Sequence, residues 1–254
     1  MKTVIINLVL LLWLALPAAA QTSAYGLPAG AQVIETQGIN SPRHPGRALI
    51  LWMLNPIKVP RDNPAEPYSC PEYTRGSYYR GPTRVSLVDT VSHRLINTVR
   101  IIPEYQEGSD SFDIPYQIRQ GLYYHVEGVP QGQEGKPAIM WLQDYNGDGR
   151  AWEFALFDAV ACMGLPTTLI GYSEFQDRVI QYPVELTTVS GDKSSTATVF
   201  WVDYLFSKKP QRPGFWRYRV DYRGRAGSLD AYEVRYLPKE ERFQARLVSS
   251  GDGP

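Results

Sequence analysis

One short run of this chain carries side chains whose type and spacing suit metal chemistry. It reads DYNGDGRAWEF and runs from Asp144 to Phe154. Asp144, Asn146 and Asp148 stand at alternate positions, and Gly149 follows them where the chain must turn sharply. A hard divalent cation such as calcium is held by about six to eight oxygen atoms. Side-chain oxygens at alternate positions converge on one point when the backbone curls round them. The carbonyl of Arg150 adds a further donor, and Glu153 completes the set, with Asp158 as the alternative for that last place. Every donor is oxygen, with neither thiolate nor imidazole, which favours calcium over zinc or copper. Asp, Asn and Gly also build tight turns that hold no metal. The expectation is therefore a loop whose oxygens share a focus and hold a structural calcium ion.

Other groupings are weaker. Glu104, Glu107, Asp110 and Asp113 lie within PEYQEGSDSFDIPY. Two carboxylates facing each other across a cleft can hydrolyse a glycosidic bond, but the same cluster reads more simply as a solvated acidic loop. His44, His93 and His125 have no partner at metal-ligand spacing. Glu127, two residues after His125, falls on the same face of a strand, as in an ordinary hydrogen-bonded histidine. The run GYSEF (171–175) matches only the first half of a serine-nucleophile elbow. No glycine-rich phosphate loop occurs. Tyr68, Tyr73, Tyr78 and Tyr79 cluster near Arg75 and Arg80, a composition that suits sugar stacking or peptide binding as well as plain cross-strand packing.

The first twenty residues, MKTVIINLVLLLWLALPAAA, have a basic start, an apolar middle and small residues at the end. That is the pattern of a cleavable secretion signal, and the apolar run falls short of the roughly 20 residues that span a bilayer. Residues 1–20 are thus expected as a signal peptide, and the chain as secreted or periplasmic. The formal charge is +0, so nothing in it points to nucleic acid, and no later stretch is apolar enough to span a membrane. The basic block Arg217, Arg219, Arg223 and Arg225 alternates with Tyr218, Asp221 and Tyr222, as on the solvated face of a strand. An even count of two cysteines, Cys70 and Cys162, in an oxidising compartment suggests a disulfide. Such a bridge closes a loop of about 90 residues and contributes about 4 kcal/mol in the chain-entropy model. Two separate thiols are the alternative.

The elements that must position these residues read as strands. Short β-branched and aromatic runs recur between Gly, Asp, Asn and Pro clusters, and no stretch keeps helical spacing. ALILWML (48–54), RVSLVDT (84–90), RLINTVRII (94–102), GLYYHVEGV (121–129), AIMWLQDY (138–145) and WEFALFDAV (152–160) are followed by TTLIGY, RVIQYPVEL, ATVFWVDYLF, FWRYRVDYR, AYEVRYL and RFQARLV. Crossovers long enough for a parallel sheet are missing. The fold class expected is all-β: an antiparallel meander, propeller-like, sandwich or barrel. In the 84–102 hairpin, Val85, Leu87 and Asp89 are expected on one face, Ser86 and Val88 on the other. A flexible, disordered arm is expected over 21–46, a single β domain over 47–248, and a flexible tail over 249–254.

Two local resemblances follow. RVSLVDTVSHRLINTVRI resembles a blade hairpin of the bacterial YVTN-type β-propellers, without their repetition. The DxNGDG core is similar to calcium loops of EF-hands, dockerins, thrombospondin type 3 repeats and FG-GAP (integrin-type) propeller blades. An EF-hand implies a glutamate at the twelfth place, where Ala155 stands, and flanking helices where this chain reads as strands. The FG-GAP resemblance is the best supported, although Trp152 stands where that pattern has aspartate. It implies a calcium loop between two antiparallel strands, with Asp144, Asn146, Asp148 and Arg150 as ligands and Glu153, one residue on, or Asp158 in place of the absent aspartate.

The function expected is that of an exported, non-catalytic β protein with one structural calcium, acting as a binding or envelope-associated module toward a protein or carbohydrate ligand. The alternative is an extracellular hydrolase, with carbohydrate as the substrate class considered, that uses the loop carboxylates.

Overall fold

Runs that alternate large apolar with polar residues, such as FWRYRVD, cover one face of a pleated strand, and continuous apolar runs such as ALILWML need cover on both faces. A computed structural model describes residues 25–59, 78–101, 111–115, 139–157, 165–222 and 227–250. Within them lie β1 (Ala31–Ile39), β2 (Arg47–Leu54), β3 (Ile57–Val59), β4 (Tyr78–Asp89), β5 (Arg94–Arg100), β6 (Ser111–Pro115) and β7 (Glu153–Phe157). They continue with β8 (Pro166–Ser173), β9 (Arg178–Gln181), β10 (Val184–Ser190), β11 (Lys193–Val199), β12 (Val202–Asp203), β13 (Phe215–Asp221), β14 (Leu229–Leu237) and β15 (Arg242–Ser250). The only helical piece among the described residues is a single 3-10 turn at Leu205–Ser207. No helix among them is long and apolar enough to cross a membrane.

The chain is all-β, and its described strands form three sheets. One runs β1-β2-β4-β3, with β5 and β6 also paired to β4; the second runs β11-β10-β15-β14-β13; the third runs β12-β8-β7, with β9 on β8. None of these paths closes on itself. Pairing is antiparallel apart from β10 and β15, which run parallel. That pair departs from the antiparallel expectation. The chain leaves β10 through the β11 hairpin and returns to β10's other edge only after β12, β13 and β14, a crossover whose only helical piece among the described residues is that 3-10 turn.

Several expected elements change. Where a flexible arm was expected, β1 pairs with β2 along its length, and Leu27 ahead of it is buried. The physical reason is β2 itself, apolar on both faces, which needs cover on both. One face joins the main core through Leu49, Leu51 and Met53. The other packs Ala48, Ile50 and Trp52 with Leu27 and Val88. For the same reason Val85, Ser86, Leu87 and Val88 are all buried: Val85 and Leu87 join the main core and Val88 the second cluster, so the two faces expected of this strand are both covered. Ser86 is tolerated inside because Trp52 Nε1 donates to its Oγ at 2.8 Å.

The run 138–145 was expected as a strand, but its described part forms only one isolated bridge, Gln143 to Glu153. The N–H groups of Ile139 and Met140 are satisfied instead by Glu35 Oε2, each at 3.2 Å. Glu35 reaches inward because a bulge between Val33 and Glu35 interrupts the β1–β2 register. RVIQYPVEL divides into β9 and β10 at Tyr182-Pro183, since proline has no N–H for the ladder. ATVFWVDYLF likewise divides into the end of β11, β12 and the 3-10 turn. Around Phe243 the third sheet and the second share an aromatic core: Tyr182, Phe206, Trp216 and Tyr236 all lie within 6.1 Å of it, ring centre to ring centre.

Candidate metal centre at the 144–149 loop

The loop is set up by its base. Gln143 and Glu153 exchange backbone hydrogen bonds of 2.8 and 3.3 Å, so the chain leaves and re-enters one ladder position across residues 144–152. That pairing places Glu153, the first residue of β7, under the loop. Ahead of it, Glu35 anchors residues 139 and 140. The loop's outer side rests on the second sheet: a Cβ on Gly147 would stand 2.3 Å from the Gly214 nitrogen. Both glycines have positive φ, 79° and 70°, so each is required for space and for backbone conformation together.

Asp144 organises the turn. Its Oδ1 accepts from the N–H groups of Gly147 and Asp148 at 2.8 and 2.9 Å, and its Oδ2 from that of Gly149 at 2.9 Å. Asn146 Oδ1 accepts from Asp148 N–H, and Asp148 Oδ1 from Arg150 N–H, both at 2.9 Å. The backbone therefore curls round oxygens of three side chains, Asp144, Asn146 and Asp148, as tight Asp/Asn/Gly turns also do. The Asn146 amide nitrogen lies between two carboxylates, donating to Glu153 Oε1 at 3.1 Å and, weakly, to Asp148 Oδ2 at 3.4 Å. Counting lone pairs, capacity remains on Asp144 Oδ2, Asn146 Oδ1, Asp148 Oδ2 and Glu153 Oε2.

Glu153 is the unusual member. Only 1% of it is exposed, and its Oε2 is buried without a hydrogen-bond partner. Its other oxygen meets the Asn146 amide and, at 3.4 Å, the hydroxyl of Tyr182. Burial pushes its carboxyl up to about 9, and the negative charges of Asp148 and Asp144 add to the effect. Asp148 is also raised, by burial first, with a contribution from Asp144. Burial and the neighbouring negative charges thus act together on Glu153 and Asp148, and a bound divalent ion would reverse that logic. As the side chains stand, no three Asp, Glu, His or Cys residues among the described ones form a group able to hold an ion. The Asn146 amide occupies the gap between Asp148 and Glu153.

No protein-family model matches the chain, and neither a curated protein nor a solved structure does. The site is thus read from its own geometry.

Other sequence-derived candidates are dispersed. Cys70, Cys162, Glu104, Glu107, Asp110, His125, Glu127, Asp158, Tyr68, Tyr73, Arg75, Arg223 and Arg225 lie outside the described residues, and for Asp113 and Tyr78 only the strand backbone is described. His44 sits 3.7 Å from Asp177. His93, in the β4–β5 turn, packs its ring 5.9 Å from that of Tyr25. Arg217 and Arg219 are exposed on either side of buried Tyr218, and Arg217 pairs with Glu233 across the ladder at 2.6 Å, the solvated strand face expected.

Sequence reasoning did not single out Glu35, Gly171, Glu174 or Tyr182. Each reaches the loop or its flank from a distant part of the chain, and no spacing rule links them to residue 144. A buried Glu174 closes the flank. It accepts from Ser41 Oγ at 2.7 Å and pairs with Arg150 at 3.1 Å. The Arg150 guanidinium in turn lies over the Trp152 ring, 4.8 Å from its centre.

Proposed function

We propose that this chain is an exported, non-catalytic β protein whose 144–149 loop, of the FG-GAP type, takes up one calcium ion as a structural cofactor. In this reading it serves outside the cytoplasm as a binding or envelope-associated module. The single observation that carries the metal is Glu153 Oε2, a buried carboxylate oxygen with no protein donor, beside two further carboxylates of the same loop. Ionising that carboxyl inside the fold is costly, so without metal it keeps a proton, and a divalent cation would take the proton's place. Asp144, Asn146, Asp148 and Glu153 would supply side-chain oxygens and Arg150 its carbonyl, a hard all-oxygen set suited to calcium. The ion would tie the start of β7 to the loop and the loop to the turn before β13. That is a stabilising role, and Glu153 is too deeply buried to act on a substrate.

Thermal unfolding in calcium and in chelator tests this. With free calcium at about 100 times its dissociation constant, the bound form is more stable by about 2.7 kcal/mol. Superimposable melts in the two conditions overturn the reading.

A further inference from the structure

Beside the loop, a cleft of about 550 Å³ opens between the turn after β1 and residues 149–152. Its size lies within the range of small-ligand sites. We propose that this cleft binds an acidic saccharide, a uronate, through Arg43 and Arg150. The uronate site stands without the metal; only its coupling to calcium, below, rests on the calcium reading of the neighbouring loop.

Glu174 forms the floor and is almost wholly buried, its side chain 4% exposed. Its Oε2 faces Arg150 Nη1 at 3.1 Å and Arg43 Nε at 3.7 Å, while its Oε1 is taken by Ser41. Two guanidinium groups thus share the Glu174 carboxylate, with Asp148 also acting on Arg150, and both reach the mouth. Their side chains are 69% and 47% exposed. Each guanidinium carries five N–H donors in a planar fork, more than Glu174 can accept. Stacking on Trp152 limits how Arg150 can turn, so its fork is presented in a defined plane. That arrangement suits the bidentate capture of a second carboxylate.

The rest of the lining is mainly apolar, with the Asn40 amide exposed among it, and a Cβ placed on Gly38 or Gly149 would meet nothing within 4 Å, so the backbone there lies open. Trp152 is 92% buried under Arg150, and Pro42 and Ala151 are small, so the apolar wall is shallow. Such a wall receives the C–H face of a pyranose ring while the two guanidinium groups receive its carboxylate. An acidic peptide, which arginine clusters also bind, is the competing outcome of the test. Arg150 joins the two sites: its carbonyl belongs to the metal loop and its guanidinium to the cleft. An ion that orders residue 150 therefore pre-organises the cleft.

The test is calorimetric titration of the purified chain with digalacturonate, with the neutral digalactose and with tetraglutamate, in excess calcium and in chelator. Digalacturonate is expected to bind, more tightly with calcium, and digalactose not to bind. Arg43→Ala and Arg150→Ala should each weaken binding about tenfold or more. Arg43→Ala should keep the calcium-dependent melting shift, because Arg43 supplies nothing to the metal loop. Arg150→Lys, which keeps charge and loses the fork, should fall between wild type and Arg150→Ala. No binding of digalacturonate in either condition, equal binding of digalactose, or tighter binding of tetraglutamate overturns the proposal. A calcium shift without saccharide binding sinks this proposal alone. Saccharide binding without a calcium shift sinks the metal reading and leaves the cleft standing.

Discussion

Glu153 and Gly171 face each other across the β7–β8 ladder, and the missing side chain at 171 makes room for the carboxylate. A Cβ on Gly171 would stand 2.7 Å from Glu153 Cγ and 3.0 Å from the Trp152 carbonyl oxygen. The backbone oxygen cannot move aside, so the carboxylate must. Gly171→Ala should lower stability by about 1–3 kcal/mol, the usual cost of overpacking. It should also weaken calcium binding by displacing the ligand. Denaturant unfolding and a calcium titration check both effects, and unchanged calcium affinity would show that Glu153 is not held as described.

In the metal-free chain, Glu153 makes stability depend on pH. Its carboxyl titrates near 4.5 when unfolded and at about 9 when folded. Between those values the folded state holds a proton that the unfolded state has lost. Stability therefore falls as pH rises through that window, by up to about 1.4 kcal/mol per pH unit, and is level below it. Glu153→Gln removes the titrating group. In chelator it should flatten the slope and be the more stable protein at pH 8, and it should lose the response to calcium. A slope that persists in Glu153→Gln assigns the effect elsewhere.

Asp144 does two jobs that a single substitution separates. Asp144→Asn keeps an oxygen that can accept from the Gly147 and Asp148 N–H groups but loses the charge. It should melt within about 0.5 kcal/mol of wild type in chelator and fail to gain stability from calcium. Asp144→Ala loses the turn as well and should cost about 1–2 kcal/mol even in chelator. Equal melts of the two variants without metal would show that the turn does not depend on this side chain.

Glu35 reaches the metal centre only indirectly. Its Oε2 accepts both the Ile139 and Met140 N–H groups, and its Oε1 the Gln37 amide at 2.7 Å. Glu35→Ala leaves two buried N–H groups without an acceptor, at a cost of about 1–3 kcal/mol. Faster hydrogen exchange at residues 139–143 than in the rest of the third sheet is the specific readout.

Arg47 ties two hairpin turns together through Asp89 and Asp177, at 2.8 and 2.7 Å. The guanidinium hydrogen bond holds the Asp177 carboxyl below its ordinary 3.8. A depressed carboxyl contributes stability that is present above 3.8 and lost as pH falls through the lower folded value. Acid unfolding of Arg47→Met should therefore begin at higher pH than that of wild type, as followed by tryptophan fluorescence. Coincident acid midpoints would remove this pair from the account.

Much of the architecture was legible in the residues themselves. Strand signals in ALILWML, FWRYRVD, AYEVRYL and RFQARLV are local, set by β-branched and aromatic side chains with period-two alternation, and they became β2, β13, β14 and β15. The curl of the 144–149 loop was legible too, because its hydrogen bonds span only two to five residues. The run at 138–145 misled, since an apolar stretch does not say whether its N–H groups will meet a strand or a glutamate a hundred residues earlier. The parallel β10–β15 pair and β1's place on β2 were equally hidden, because each joins segments with no common spacing.

By itself the chain's chemistry determined which oxygens could gather at residues 144–148, and that a strand, β7, would follow them. Tertiary structure alone decided that Glu153 lies beneath them with its Oε2 lacking a donor, that Gly171 leaves it space, and that Arg43 and Glu174 stand beside Arg150. Local order follows from the geometry of neighbouring residues. Burial, charge imbalance and a shared cleft belong to segments that meet only when the sheets pack.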